Sequence, residues 1–154
     1  MDTSLLESII QRIFFLLGVQ APVCSFSEDG RVFWVHASSL DPHLYIGEQG
    51  RSLDDIQHII RALARKHLIG LALVSVDVNG YKKDREDRVR EIARSAADEV
   101  ALFRAPKELS PMNSGDRRVV HMELASRTDV ETESIGEGPE RRVVVRLKRY
   151  PAES

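Results

Sequence analysis

The first candidate site is a four-residue loop bounded by two glycines, Gly47-Glu48-Gln49-Gly50, and followed by Arg51. Glycine has no Cβ, so such a loop lets the backbone come close to a phosphate, and the amides at the start of a following helix carry a partial positive charge. The pattern is short, and an ordinary turn between two helices has the same spacing. Both interpretations stay open on this loop alone: an anion-binding site that includes Arg51, or a plain turn.

The second candidate site is Arg117-x-x-x-His121, with Arg118 next to its first member. A spacing of four places Arg117 and His121 on one face of a helix. In this position Arg117 is able to contact a phosphate, and His121 is able to donate a hydrogen bond to it or stack on a base. The alternative is a surface pair in which His121 is tied to a neighbouring carboxylate, Asp116 or Glu123.

The other reactive side chains form no catalytic or metal-binding pattern. We find no serine nucleophile elbow, no Walker loop and no paired carboxylates, and His121 has no nucleophile beside it to activate. The remaining histidines show no spacing that joins them to Cys24 or to a shared metal: His36, His43, His58 and His67. The sequence therefore predicts a protein with no enzymatic activity, no cofactor and no bound metal.

Composition and charge restrict the partners that the chain can take. Of its 154 residues 42% are hydrophobic and 30% charged, which excludes collagen-like, disordered and disulfide-dense proteins. The single cysteine forms no intrachain disulfide and no stretch fits a signal peptide or a membrane span, so we expect a cytoplasmic protein without membrane insertion. The net charge is -2, with 6 Lys/Arg against 9 Asp/Glu in residues 1–78 and 16 against 15 in the remainder. Any contact with nucleic acid must therefore be made by individually placed groups.

Helical and strand periodicity predicts a first module in the order helix, strand, strand, helix, helix, strand. Ser52 and Asp55 form a capping box that marks the start of the helix after the glycine loop. Phe33 and Trp34 are both assigned to the core, because large apolar side chains dominate burial. The predicted elements are a helix over 5–17, strands over 23–27 and 31–37, a short helix over 40–46, a helix from 52 and a strand over 71–78.

After Asn79-Gly80 the chain becomes densely charged, and we place the boundary between two modules there, at 1–79 and 80–154. Ser110-Pro111 is typical of a helix start, with Ser as the cap and Pro in the first turn. A stripe that includes Ile92 predicts a buried face on the preceding helix. The elements expected in the second module are helices over 81–103 and from 110 to about 126, and strands over 129–134 and 141–148.

Taken in this order, the two modules resemble the bacterial Jag family, whose members are also called KhpB. Residues 46–64 are similar to its KH module of the type II arrangement, whose Gly-x-x-Gly loop clamps about four backbone nucleotides. The second module is similar to an R-x-x-x-H domain. The segments that carry this second likeness are Gly80-Tyr81, the charged helix, 109–112, 117–121, 130–134, Gly136 and 139–141.

This resemblance implies an α+β fold of two small modules, a KH-like domain followed by helices on a small mixed β-sheet. It also implies binding of single-stranded RNA, or of single-stranded nucleic acid generally, without catalysis. The implied contacts come from two groups of residues: Gly47, Glu48, Gln49, Gly50 and Arg51 in the first module, and Arg117, Arg118 and His121 in the second. A strand of RNA would then be held between the glycine loop and the Arg117/His121 helix.

The chain departs from the family in two respects. A further N-terminal module, frequent in the family, is expected to be missing, because the sequence starts at the helix before the first strands. The middle of the glycine loop commonly holds a basic residue in related proteins, and here it holds Glu48 and Gln49. A carboxylate about 4 Å from a phosphate opposes binding by about 1 kcal/mol in water. The alternative function is therefore a protein-interaction adaptor that pairs with another KH-domain protein or with itself.

Overall fold

The computed structural model describes residues 4–20, 22–67 and 73–148. The chain divides into two compact units, residues 1–82 and 83–154, each with its own hydrophobic core. Helices and small sheets occur in both units, and the predicted α+β class is confirmed.

The first unit contains the predicted order of elements. They are α1 (Ser4–Leu16), β1 (Val23–Phe26), β2 (Val32–Ala37), α2 (His43–Ile46), a 3-10 turn (Glu48–Gly50), α3 (Arg51–His67) and β3 (Leu73–Val78). The helix after the glycine loop begins at Arg51, so Ser52 lies inside its first turn and is not the residue that precedes it. The remaining predicted boundaries that fall on described residues differ from these by at most three residues.

The sheet of the first unit has the order β1-β2-β3, with β1 antiparallel and β3 parallel to the central strand β2. One face of this sheet is buried under α1 and α3, and Phe33 lies fully buried on that face. Side chains alternate between the two faces of a strand, so Trp34 points the other way and is only half-buried. The core assignment is confirmed for Phe33 and wrong for Trp34.

The edge of β3 away from β2 is closed by side chains of α3. The amide of Val76 donates to Oε1 of Gln57 at 3.1 Å, and Nη2 of Arg61 donates to the carbonyl oxygen of Val74 at 3.1 Å. Gln57 also accepts from the ammonium group of Lys82. Two backbone groups that a lone edge strand would leave to water are therefore paired within the unit.

The second unit has an antiparallel sheet covered by helices on one face. The elements are α4 (Tyr81–Phe103, whose first two residues lie in the first unit), β4 (Lys107–Glu108), α5 (Ser114–Leu124), β5 (Val130–Ile135), a 3-10 turn (Gly138–Glu140) and β6 (Arg142–Leu147). The described strands have the order β4-β6-β5 and pair only antiparallel, whereas the sequence analysis expected a mixed sheet. The pairing is antiparallel because β5 and β6 are joined by a tight turn through Gly136 and Gly138, which returns the chain alongside itself.

The core of the second unit lies between α4, α5 and one face of this sheet. Val143 and Val145 are buried with no exposed surface and Leu147 packs against the same cluster, as predicted. On α4 the buried stripe consists of Val89, Ala93, Ala96, Ala97 and Val100. Ile92 was predicted to belong to this stripe but is 51% exposed.

The start of α5 differs from the prediction by four residues. Asn113 is the residue before the helix, and its Oδ1 accepts a hydrogen bond from the amide of Asp116 at 2.9 Å. Before it the chain stays extended along β6, because the amides of Leu109 and Met112 donate to carbonyl oxygens of that part of the sheet, Val143 and Arg141. Ser110 and Pro111 are therefore held outside the helix, and the prediction of a Ser110 cap is wrong.

We expect Asn113→Ala to lower the free energy of unfolding by about 1 kcal/mol, because it removes the side chain that caps α5. Ser110→Ala is the matched control and should change stability by less than about 0.5 kcal/mol, since Ser110 is exposed and outside the helix. Urea unfolding of both variants measures the two effects. Equal losses in the two variants would contradict the assignment of the cap.

Candidate nucleic-acid interface

The glycine loop, residues 47–50, is an exposed turn between α2 and α3, as predicted. Glu48 and Gln49 are exposed, as is Arg51 at the start of α3. The amide of Gly50 donates to the carbonyl oxygen of Gly47 at 3.2 Å, which closes the turn. Gln49 has a positive φ of 53°, a conformation that side chains rarely adopt outside tight turns.

Glycine is required at position 47 for two separate reasons. Its φ of 69° and ψ of -178° fall in a region that is essentially restricted to glycine. A Cβ at this position would also lie 2.2 Å from Oγ and 2.9 Å from Cβ of Ser52. The close approach of Gly47 to the first turn of α3 thus depends on the missing side chain.

We expect Gly47→Ala to destabilise the first unit by about 2 to 3 kcal/mol, because backbone strain and a steric overlap act together. Gly30→Ala is the control, since Gly30 has a similar φ of 68° but open space where the Cβ would be. The difference between the two variants in urea unfolding measures the overlap with Ser52. Equal destabilisation would mean that Ser52 moves away without cost.

The charges around the glycine loop are unfavourable for an anion. Glu48 is exposed in the loop, and Asp54 and Asp55 are exposed in the first turns of α3, against the single cation of Arg51. Acidic side chains at this end stabilise the helix through its dipole. The same side chains offset the partial positive charge that would attract a phosphate to the loop.

In the second unit an ion pair anchors the first turn of α5 to α4. The guanidinium group of Arg85 donates to both carboxylate oxygens of Asp116, with Nε at 3.0 and 3.1 Å from them. The side chains of this pair are only 16% and 13% exposed, so the interaction is largely shielded from solvent. A two-pronged Arg–carboxylate pair fixes direction as well as distance, and it therefore sets the orientation of α5.

Arg117 and His121 lie one turn apart on α5, on the side that meets the sheet. Nη1 of Arg117 donates to the carbonyl oxygen of Met112 at 2.7 Å. Nδ1 of His121 lies 2.7 Å from Oγ1 of Thr132, and Nε2 lies 2.9 Å from Oγ of Ser134. We call these four side chains, Arg117, His121, Thr132 and Ser134, the α5 site.

The imidazole of His121 is held by hydroxyl groups and not by a carboxylate. Asp116 pairs with Arg85, and Glu123 pairs with Arg94 at 2.6 Å. The alternative in which His121 is tied to one of these carboxylates is therefore wrong. Burial, followed by the nearby Arg117 cation, lowers the pKa of His121, which makes the neutral imidazole the dominant form at neutral pH.

The structure brings together some of the predicted site residues within each unit and separates others. Arg118 is exposed and follows Arg117 by one residue, so it projects about 100° further around α5 than the Arg117/His121 face. Sequence reasoning missed Thr132 and Ser134. The alternation of Thr132 and Ser134 with Glu131 and Glu133 was the available signal, because it places two hydroxyl groups on one face of β5 and two carboxylates on the other.

We expect acidification below the ordinary histidine pKa of about 6.5 to destabilise the protein in part through His121. The lowered pKa means that the unfolded chain takes up this proton before the native state does, so stability is lost as the pH falls. Urea unfolding at pH 7.5 and 5.0 should show a smaller acid loss in His121→Gln than in the wild type. His58→Gln, at an exposed position of α3, is the control and should keep the wild-type loss. An identical acid loss in all three proteins would contradict the lowered pKa.

Two further observations concern other kinds of site. In residues 4–20, 22–67 and 73–148, no three side chains of His, Cys, Asp or Glu are grouped closely enough to hold a metal ion. None of the helices in these ranges combines the length and the apolar character needed to cross a bilayer.

Residues 87–147 match the family of R-x-x-x-H domains, which is named after an arginine and a histidine separated by three residues. The matched region begins within α4 and ends at the last residue of β6, and it contains the whole α5 site. The second unit is therefore an R-x-x-x-H domain.

The chain as a whole is similar to proteins named RNA-binding protein KhpB. It is 26% identical over 141 residues to that of Clostridium symbiosum, which covers 91% of this chain and 64% of the relative. It is 33% identical over 106 residues to that of Lactiplantibacillus plantarum, and 27% identical over 116 residues to that of Bacillus subtilis. These alignments cover 69% and 74% of this chain, and 33% and 56% of the relatives. The chain thus spans about one to two thirds of the length of these relatives, and the predicted resemblance to the Jag/KhpB family is confirmed.

Proposed function

We propose that this protein binds single-stranded RNA, or single-stranded nucleic acid generally, in the cytoplasm and without catalysis, and that the α5 site makes the main contact. The carrying observation is that Arg117 and His121 lie together on one helix face inside the region that matches the R-x-x-x-H domain. The relatives named RNA-binding protein KhpB support the same ligand class.

The α5 site is suited to a phosphate beside a base. A guanidinium group has five N–H donors, and the bond from Arg117 to Met112 uses one of them. His121 supplies a neutral ring held in place from both nitrogens, so its orientation is set before any ligand arrives. Arg117 then provides the charge that attracts the backbone, and His121 provides position and a flat surface.

The first unit supports a weaker, second contact. Its helix-strand-strand-helix-helix-strand order, with an exposed Gly-x-x-Gly turn before α3, is the arrangement expected of a type II KH domain. We assign residues 1–79 to this KH-like domain and 80–154 to the R-x-x-x-H domain. Glu48, Asp54 and Asp55 lower the affinity of the loop for phosphate, so most of the binding free energy comes from the second unit.

The adaptor function is the second candidate, and exposed apolar side chains beside α2 favour it. Leu44 is 69% exposed and Leu40 is fully exposed, and both precede the glycine loop. Such side chains are suited to contact with a protein, either another KH-domain protein or a second copy of this chain. Absence of RNA binding at low salt would make this candidate the preferred one.

We expect Arg117→Ala to weaken binding to single-stranded RNA of any sequence, because it removes a phosphate contact. A fluorescence-anisotropy titration repeated at several salt concentrations should show the slope of log K against log salt fall by roughly 0.7 to 1. His121→Gln should weaken binding with little change in slope, since the ring is neutral. Lys83→Ala, which removes an exposed cation from α4, is the charge-matched control. A slope reduced equally by Lys83→Ala would mean that Arg117 contributes only general charge.

Replacing Glu48 with lysine tests whether the glycine loop contacts RNA. Two units of charge change beside one phosphate, so we expect Glu48→Lys to tighten binding roughly five- to thirty-fold at low salt, with a smaller gain at high salt. Glu28→Lys makes the same change of charge in the exposed turn before β2, while the glycine loop follows β2. RNA affinity that responds equally to both substitutions would show that the loop is not a contact.

A further inference from the structure

The sheet of the first unit has a second face that the core does not use. Every buried side chain of β2 and β3 in the core cluster lies on the face covered by α1 and α3. The six side chains that define the opposite face, called the outer face below, are Val23, Ser25, Trp34, His36, Leu73 and Ser75. Val23 is 68% and Leu73 is 54% exposed, so this face is open to solvent.

An aromatic pair occupies the centre of the outer face. The rings of Trp34 and His36 lie nearly parallel, with an angle of 15° between their planes and 5.8 Å between their centroids. Both side chains belong to the central strand β2, two residues apart. A flat aromatic surface of two rings is therefore presented from a rigid strand rather than from a loop.

Small hydroxyl side chains flank the tryptophan on both sides. Ser25 on β1 and Ser75 on β3 are the direct neighbours of Trp34 in the register of the sheet. Serine side chains are shorter than the indole, so they leave its face accessible. Their hydroxyl groups are donors and acceptors at the height of the sheet, where the edge of a stacked base would lie.

A cation lies at the β3 side of this face. Nζ of Lys82 donates to Oγ of Ser75 at 3.1 Å. The neighbouring carboxylate of Asp77 accepts from the amides of Gly80 at 2.8 Å and Lys82 at 3.0 Å, so it is engaged by the backbone. The combination of a flat aromatic surface, hydroxyl groups and an adjacent ammonium group matches the parts of a nucleotide: base, sugar or base edge, and phosphate.

We propose that the outer face stacks a base of single-stranded nucleic acid on Trp34 and His36. This inference rests on the proposed function, because it adds a contact for the same class of ligand at a place distinct from the glycine loop and the α5 site. Base stacking on an exposed aromatic side chain of a sheet gives affinity without sequence preference, since every base has a π-face.

Trp34 is the only tryptophan of the chain, so its emission reports on this face directly. Titration with a single-stranded RNA oligomer should quench Trp34 fluorescence over the same concentrations that raise the anisotropy of a labelled oligomer. An abasic oligomer of equal length keeps the phosphates but has no bases, and it should leave the emission unchanged. Trp34→Leu should weaken RNA binding roughly five- to hundred-fold, whereas Trp34→Phe should keep most of the affinity.

Phe15→Leu is the matched control, because Phe15 is a 67% exposed aromatic side chain on α1, and it should leave RNA affinity unchanged. Thermal unfolding establishes that each variant is folded, and Trp34→Phe retains a ring if Trp34→Leu is unstable. RNA binding that leaves Trp34 emission unaltered, with full affinity in Trp34→Phe and Trp34→Leu, overturns this inference and leaves the proposed function intact. Equal quenching by the abasic oligomer also overturns it. Absence of RNA binding by the wild type at low salt overturns the proposed function itself.

Discussion

Each of the two sheets has only three strands and buries a single face, and this constraint governs what the protein presents to other molecules. Burial of one face against amphipathic helices supplies the apolar contacts that hold a small unit together. In the first unit the constraint leaves Trp34 and His36 on an open face. In the second it places the polar residues of the α5 site at the margin of the core, where helix and sheet meet.

The position of His121 shows how this margin works. Thr132 pairs with Val145 and Ser134 pairs with Val143 across the antiparallel sheet, so these hydroxyl groups lie on the same face as the two buried valines. The strand therefore changes from apolar to polar where it meets the imidazole. A histidine held in this manner contributes to the packing of α5 as well as to any ligand contact, and the ion pair of Arg85 with Asp116 holds the start of the same helix.

The order of elements and much of the core could be predicted, because periodicity records which side of a helix or strand is buried. Buried Phe33, Val143 and Val145 follow from alternation alone. The start of α5 could not be predicted in this way, since Ser110-Pro111 and Asn113 are both good helix starts. The choice between them depends on hydrogen bonds from Leu109 and Met112 to a strand that comes about thirty residues later.

Other features of the sites depend on contacts that leave no local pattern. β4 has two residues, too few for any alternation, and it forms because β6 offers an edge. The spacing of Arg117 and His121 indicates a shared helix face but not what holds the imidazole. The partners of His121 come from β5, and a single sequence does not show which strand will lie against which helix.

The closed edge of β3 has a consequence for assembly. A strand from another molecule would extend this sheet by pairing with the outward amide of Val76 and the outward carbonyl of Val74, the groups already bonded to Gln57 and Arg61. Displacing these side chains would leave a buried guanidinium and a carboxamide without partners, which is costly in a protein interior. The first unit is thereby protected, along this edge, from polymerising into an extended sheet, and two side chains of one helix provide that protection.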